Sequence, residues 1–190
     1  MKIGLYFGSF NPIHIGHLII ANFVSEHSDI EQVWFVVSPQ NPLKKSCSLL
    51  NEYHRLFLVQ IAIENNPMFR TSDIEFRLPR PSYTIDTLTY LKEKYPNNEF
   101  SVIIGSDSLK NIYKWKNSEL LLKSFSFYVY ERPGFELPEN LQANIVVLKA
   151  PLLEISSTYI RNAIQAGKSI KYLVPDRVLE EIERNGYYRK

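Results

Sequence analysis

The sequence has little of what marks several large classes of protein. A single cysteine among 190 residues excludes a framework of intrachain disulfides, and it fits a reducing compartment, so we expect a cytoplasmic protein. The net charge is only +2, which gives no electrostatic reason to expect a general binder of nucleic acid or of membrane surfaces. There is no basic start followed by a long apolar stretch, so we expect neither a signal peptide nor a membrane-spanning segment.

Several chemical signatures are also missing. The sequence has neither the Gly-Lys-Ser/Thr of a Walker loop nor the three-glycine dinucleotide fingerprint. No Ser-His-Asp or Cys-His arrangement for covalent catalysis is evident. His14 and His17 could be half of a zinc site, but the only other histidines and the only cysteine are His27, His54 and Cys47. Because zinc needs further ligands at suitable spacing, this interpretation is weak.

What is present is an ordinary globular composition with alternating elements. At 190 residues and 45% hydrophobic content, we expect one domain over residues 1–190. Strands that alternate with helices predict an α/β fold with a doubly wound, mostly parallel, Rossmann-like sheet, helices on both faces and a small helical segment over about 155–190. Ser82 is predicted to cap the third helix. The predicted strands are 3–7, 32–37, 69–76, 100–104, 125–130 and 145–148, and the predicted helices are 18–24, 49–64, 83–95, 120–122, 155–165 and 176–185.

The turn between the first strand and the first helix is the most informative stretch. Residues 8–17 read Gly-Ser-Phe-Asn-Pro-Ile-His-Ile-Gly-His. In α/β units ligands lie beyond the carboxyl ends of the strands, where phosphates meet free N–H groups of a helix start. His14 and His17 stand three apart, so on a helix start both rings project from nearly one face. Gly16 lacks a side chain at a place where a ligand could approach the backbone.

A second candidate anion site lies late in the chain. Ser156 and Ser157 open the helix predicted over 155–165, and either hydroxyl could simply be its N-cap. Arg161 follows Ser157 by four residues, so it shares the same helix face and its side chain points back toward the N-terminus. Hydroxyls, free N–H groups, the positive helix end and a guanidinium would then converge on one anion.

Both stretches resemble known motifs. Residues 8–17 and the Ile-Ser-Ser-Thr-Tyr-Ile-Arg string at 155–161 are similar to two signatures of the HxGH nucleotidyltransferase superfamily. Segments 81–88, 103–109, 131–134 and 173–188 extend the likeness over essentially the whole chain to the family of bacterial nicotinate mononucleotide adenylyltransferases. The resemblance implies a cytoplasmic enzyme of NAD biosynthesis. It would join the AMP moiety of ATP to nicotinate mononucleotide, giving nicotinate adenine dinucleotide and pyrophosphate.

The resemblance also implies the site. Its catalytic groups would be His14 and His17 as donors around the α-phosphate and Arg161 on the outgoing pyrophosphate. Mg²⁺ would accompany ATP, with no protein ligand that the sequence identifies. Backbone N–H groups would bind the nicotinate carboxylate, and an indole would cover its ring. The further implied contacts are with ATP and its phosphates at Gly8, Ser9, Phe10, Gly16, Lys45, Ser156, Ser157 and Thr158, with ribose at Gly105 and Asp107, and with nicotinate at Tyr83, Thr84, Trp115 and Lys116.

The sequence departs from the family pattern at a few positions. Phe7 and Asn11 stand where Gly and Asp are usual, and Lys44 replaces a histidine beside Lys45, which leaves open which lysine reaches the phosphates. Lys116 stands where an aromatic residue is frequent. Because the implied contact there is a backbone N–H, binding should survive, and we hypothesise that the Lys116 ammonium favours the nicotinate carboxylate over a neutral amide.

Alternatives of two kinds stay open at this point. The acceptor could be nicotinamide mononucleotide or another phosphorylated compound, such as phosphopantetheine or a flavin precursor. The chain could also be a non-catalytic, nucleotide-sensing module on the same fold. The partners expected are small molecules, and nothing in the sequence excludes assembly into a homo-oligomer.

Overall fold

Six parallel strands form one sheet in this computed structural model, which describes residues 1–40, 49–135, 141–151 and 153–189. The strands are β1 (Lys2–Gly8), β2 (Gln32–Val37), β3 (Phe69–Ser72), β4 (Glu99–Gly105), β5 (Ser126–Tyr130) and β6 (Ile145–Leu148). Their order across the sheet is β3-β2-β1-β4-β5-β6, so the direction of winding reverses between the neighbours β1 and β4. A crevice opens at such a reversal beyond the carboxyl ends of the strands.

Helices cover both faces of this sheet. They are α1 (Ile15–His27), α2 (Glu52–Ile63), α3 (Thr84–Lys94), α4 (Ser106–Leu109), α5 (Ser118–Ser124), α6 (Ser157–Gln165) and α7 (Asp176–Asn185), and two 3₁₀ turns, Ile74–Phe76 and Ile112–Lys114, are the other helical elements of the described residues. Alternate residues of β2 pack on opposite faces of the sheet. Phe35 belongs to a cluster with α1, α2, α6 and α7, while Trp34 and Val36 pack with α3, α4 and α5. Strands buried on both faces read as continuous apolar runs.

The predicted doubly wound fold is therefore confirmed, and the bounds of β2, β6 and α7 match their predicted ranges. The predicted helix 49–64 begins later, at Glu52, because the Asn51 side chain caps it by accepting the N–H of Tyr53 at 2.9 Å. No helix among the described residues is both long and apolar enough to cross a bilayer.

Two predictions about the segment between β3 and α3 are wrong. The strand predicted over 69–76 ends early and becomes a 3₁₀ turn, because the Glu75 carboxylate points inward and accepts hydrogen bonds from Ser82 and Thr87 at 2.9 and 3.1 Å. Ser82 is consequently not the cap of α3. The Ser82 hydroxyl donates to the Glu75 carboxylate. Tyr83 is the N-cap residue, and its side chain makes no capping hydrogen bond to the helix.

Candidate active site

A cavity of about 1220 Å³ opens beyond the carboxyl ends of β1, β4 and β5. Its walls come from the turn after β1, the starts of α3, α4 and α6, and the segment after β5. Lys45, together with the alternative Lys44, lies outside the described residues. All the other expected site residues line this one cavity: Gly8, Ser9, Phe10, His14, Gly16, His17, Tyr83, Thr84, Gly105, Asp107, Trp115, Lys116, Ser156, Ser157, Thr158 and Arg161.

His14 and His17 form a stacked pair at the start of α1. His14 is the extended N-cap residue and His17 lies in the first turn, with ring centroids 3.7 Å apart and planes inclined by 27°. The backbone N–H of His14 donates to Nδ1 of His17 at 3.2 Å. Because that nitrogen accepts, the neutral His17 ring carries its proton on Nε2. A Cβ on Gly16 would lie 3.1 Å from Nδ1 of His14, so the glycine also makes room for the pair.

The lowered pKa values of both imidazoles make the two rings neutral at pH 7. Burial lowers the pKa of His14 to about 4, and the positive charge of Arg132 adds to this effect. The pKa of His17 is also well below its ordinary value. Burial is the largest cause, and the charges of His14 and Arg132 lower this pKa further. A neutral imidazole donates one hydrogen bond, and an anionic ligand beside it would favour the charged form.

The start of α6 is attached to the turn that carries the histidines. Ser156 is the N-cap residue, and its Oγ accepts the N–H of Tyr159 at 3.1 Å. Ser157 does something different, since its hydroxyl donates to the carbonyl of Pro12 at 2.9 Å. The two hydroxyls that the sequence left as alternative caps therefore have separate functions, one within α6 and one between α6 and the turn.

Arg161 makes the second connection to this turn. Its Nη1 donates to the carbonyl of Asn11 at 2.8 Å, and its Nη2 lies 3.3 Å from Oγ1 of Thr158. Asn11 is itself held from another side, because its Oδ1 accepts the N–H of Leu50 at 3.1 Å. The structure thus brings the late arginine to the turn that carries the imidazole pair, across 150 residues of sequence.

A carboxylate and a guanidinium that face each other also line the cavity. Oδ1 of Asp107 lies 3.4 Å from Nε of Arg132, whose backbone N–H donates to Oγ of Ser106 at 2.9 Å. A Cβ on Gly105 would lie 2.4 Å from Oδ1 of Asp107 and 3.0 Å from the Tyr130 ring, so the glycine makes room for both side chains. The sequence predicted no function for Arg132, although this residue follows β5, at the edge of the sheet where ligands bind.

The expected nicotinate end is formed by α3 and the 3₁₀ turn at Ile112–Lys114. Thr84 is the first residue of α3, so its N–H has no acceptor within the helix. Trp115 directly follows the turn and is partly buried against the core. The Lys116 ammonium does not stand alone. It pairs with the Asp86 carboxylate at 2.8 Å and lies 4.9 Å from the centre of the Tyr83 ring.

We expect the imidazole pair to make folding sensitive to acid. The pKa of each ring is lower in the folded protein than the ordinary 6.5, so below that value the unfolded chain binds more protons. The stabilising contribution is complete above pH 6.5 and is lost as the pH falls toward about 4. For His14 alone the loss over this range is about 3 kcal/mol. Urea unfolding at about pH 7.5 and about pH 5 measures the effect.

The control for this prediction is the double variant His14→Asn/His17→Asn. Other titrating groups, such as the buried Glu75 carboxyl whose pKa burial raises, are the same in both proteins and cancel in the comparison. In the variant, the free energy of unfolding should differ between the two pH values by about 2 kcal/mol or more less than it does in the parent protein. An undiminished difference in the variant would show that other groups cause the acid sensitivity.

Comparison with known proteins identifies the family of this chain. The cytidylyltransferase-like family matches residues 5–163. A probable nicotinate-nucleotide adenylyltransferase of Flavobacterium johnsoniae is 53% identical over 100% of both chains, and one of Cytophaga hutchinsonii is 56% identical over 99% of this chain and 98% of its own.

A solved structure of Plasmodium falciparum nicotinic acid mononucleotide adenylyltransferase complexed with NaAD shares the fold. The TM-score is 0.83 at 24% identity, over 98% of this chain and 97% of that one. Family match and full-length identity lead to one conclusion: the chain belongs to the cytidylyltransferase-like family, among the nicotinate-nucleotide adenylyltransferases.

Proposed function

We propose that this protein transfers the AMP moiety of ATP to nicotinate mononucleotide, giving nicotinate adenine dinucleotide and pyrophosphate as a step of NAD biosynthesis. The observation that carries the proposal is the single cavity in which the imidazole pair, the start of α6 and Arg161 face the same space. The relatives at 53% and 56% identity bear the name of this activity. Trp115, which lines the same cavity, would cover the pyridine ring.

The reaction is an in-line displacement at phosphorus. An oxygen of the mononucleotide 5′-phosphate forms a bond to the α-phosphorus of ATP, and the bond from that phosphorus to the bridging oxygen breaks. The electron pair of the broken bond leaves with pyrophosphate. Because a phosphate monoester is already an anionic nucleophile at neutral pH, no general base or covalent intermediate is needed. The barrier lies in holding two polyanions in line while charge moves to the leaving oxygens.

The residues of the cavity supply donors for that charge. In this proposal the Nε2–H of His17 and a ring N–H of His14 both donate to the α-phosphate of ATP. His17 is the donor nearer to the charge that develops in the transition state. Arg161 and the Ser156 hydroxyl, together with the backbone N–H of Ser157 at the start of α6, hold the outgoing pyrophosphate. Each charge-assisted hydrogen bond contributes about 1.5–3 kcal/mol, and oriented binding contributes roughly 7–11 kcal/mol of the barrier. A few donors are therefore enough.

Mg²⁺ fits this proposal as a companion of ATP. The described residues contain no group of three or more His, Cys, Asp or Glu side chains that could hold a metal ion. The donors around the cavity are imidazole, hydroxyl and guanidinium groups, which suit phosphate oxygens. Magnesium would therefore be held chiefly by the phosphates and water, and when bound it would neutralise part of their charge.

The central test is pyrophosphate release by the purified protein with ATP, Mg²⁺ and a panel of acceptors. Nicotinate mononucleotide should give the highest kcat/KM, above nicotinamide mononucleotide, phosphopantetheine and flavin mononucleotide. A higher value with another acceptor would assign a different substrate to the same chemistry. Binding of ATP without pyrophosphate release from any acceptor would favour the nucleotide-sensing alternative.

Lys116 should contribute only modestly to the choice between acid and amide. Its ammonium is half exposed and already paired with Asp86, so it acts on a ligand carboxylate as a screened charge. Such charges contribute about 0.2–1 kcal/mol, which corresponds to about a 1.5- to 5-fold effect. We expect Lys116→Ala to lower the ratio of kcat/KM for nicotinate over nicotinamide mononucleotide by this factor.

Asp86→Asn is the matched control, because it frees the same ammonium from its partner. It should raise the acid-to-amide ratio or leave it unchanged. If Lys116→Ala left the ratio as in the parent protein, the discrimination would come from the backbone N–H groups of Thr84 and Lys116 instead.

A further inference from the structure

Arg55 is the largest side chain of the described residues that is completely buried. Its guanidinium, on α2, binds four backbone carbonyl oxygens and is paired with no described carboxylate. Nε donates to Leu50 at 2.7 Å, Nη1 to Ser9 at 2.6 Å and to Ser38 at 2.8 Å, and Nη2 to Pro39 at 3.0 Å. One cation thus joins the segments that follow β1 and β2 to the start of α2.

Burying a guanidinium that is paired with no described carboxylate costs free energy. Burial lowers the pKa of Arg55 to about 10, so the group is still charged at pH 7. Apolar side chains of similar volume would fill the same space without that penalty. The four carbonyl oxygens therefore indicate what this side chain does: it fixes the direction of peptide groups at the edge of the cavity.

The peptide between Ser9 and Phe10 is the one that matters for a ligand. In a trans peptide the carbonyl and the N–H point in opposite directions, so an oxygen held by Arg55 sends the Phe10 N–H away from the guanidinium. Phe10 has a φ of 43°, a left-handed conformation that is uncommon for a residue with a side chain. Such a conformation persists only where its surroundings determine it.

The Phe10 ring fixes the same peptide from its other end. The ring is 1% exposed and makes edge contacts with Tyr6 and His17, at centroid distances of 5.8 and 5.1 Å. Ser9 and Phe10 both line the cavity beside the imidazole pair. The turn is therefore held by an aromatic cluster on one side and by one guanidinium on the other.

We propose that Arg55 is a positioning residue of the active site. Through the Ser9 carbonyl it orients the Phe10 N–H so that this amide donates to a phosphate of ATP. The inference rests on the proposed function for the identity of the ligand. It goes beyond that function because it explains what fixes the geometry of the phosphate-binding turn. Arg55, a buried residue that touches no substrate, does so.

The test combines kinetics with one NMR signal. In protein labelled with ¹⁵N-phenylalanine, a non-hydrolysable ATP analogue should shift the Phe10 amide proton downfield in the parent chain. In Arg55→Lys, which keeps the charge but loses the fork of donors, that shift should be lost. The kcat should fall by about 10- to 100-fold, as expected for a displaced donor. The KM for nicotinate mononucleotide should stay nearly constant.

Val59→Ala is the matched control, since Val59 lies one turn further along α2, is equally buried and packs in the core. It should lower the melting temperature and leave the kcat and the Phe10 shift unchanged. An Arg55→Lys protein that keeps both kcat and the Phe10 shift would overturn the proposal.

If Arg55→Lys does not fold, the parent chain still decides, because a Phe10 amide unmoved by the analogue would contradict the proposed orientation. A Phe10 shift without pyrophosphate release would leave the positioning inference intact and reject the proposed function.

Discussion

Replacement of His17 by alanine should lower kcat by about 10²–10³-fold, the usual loss when one preorganised donor is removed from a developing negative charge. The KM for ATP should change much less. The reason is that Nδ1 of His17 is occupied by the N–H of His14, which leaves the proton on Nε2 as a donor. A donor that matters in the transition state affects kcat and not ground-state binding.

Two further substitutions divide the functions of this ring. Asparagine places an acceptor near the position of Nδ1, so His17→Asn can keep the bond to the His14 N–H but has no donor at Nε2. Glutamine places a donor near Nε2 and loses the acceptor. We expect His17→Gln to retain more kcat than His17→Asn.

Steady-state kinetics of pyrophosphate release with saturating nicotinate mononucleotide compares all three variants. Equal kcat values for His17→Asn and His17→Gln would show that the Nε2–H of His17 is not the donor. A large rise in the KM for ATP with little change in kcat would make His17 a ground-state ligand instead.

Much of the fold could be predicted because the signals were local and strong. Strands such as Gln32–Val37 are buried on both faces, so each appears as an unbroken apolar run. The histidine pair and Arg161 carried chemistry within motifs of fixed spacing. Their convergence followed from one rule, that ligands of parallel sheets lie beyond the carboxyl ends of the strands.

What could not be predicted depends on contacts between distant segments. Nothing near Arg55 in the sequence indicates that its guanidinium meets carbonyls of Ser9 and Ser38. The Asp107–Arg132 pair also joins the ends of two strands. Ser82 resembled a helix cap in the sequence, but its hydroxyl donates to the Glu75 carboxylate. The helix Ser106–Leu109 is too short to show helical periodicity.

Replacement of Arg161 by alanine should reduce kcat/KM for ATP by about 10²–10⁴-fold, because two charge-assisted hydrogen bonds of about 1.5–3 kcal/mol each would be lost from the outgoing phosphates. Arg161→Lys should recover part of this loss, since it keeps the charge without the planar fork. The reverse reaction gives an independent measurement. In both variants the KM for pyrophosphate in the cleavage of nicotinate adenine dinucleotide should rise.

A structural explanation of the same loss has to be separated from this one, because Arg161 also holds the Asn11 carbonyl. Ser157→Ala removes the neighbouring bond to Pro12, which joins the same helix to the same turn and carries no charge. A neutral hydrogen bond contributes about 0.5–1.5 kcal/mol, so Ser157→Ala should cost about 10-fold or less. If Ser157→Ala and Arg161→Ala lost the same activity, with no rise in the KM for pyrophosphate, Arg161 would serve only to attach α6 to the turn. A loss specific to the guanidinium, seen in both directions of the reaction, would place its charge on the phosphates.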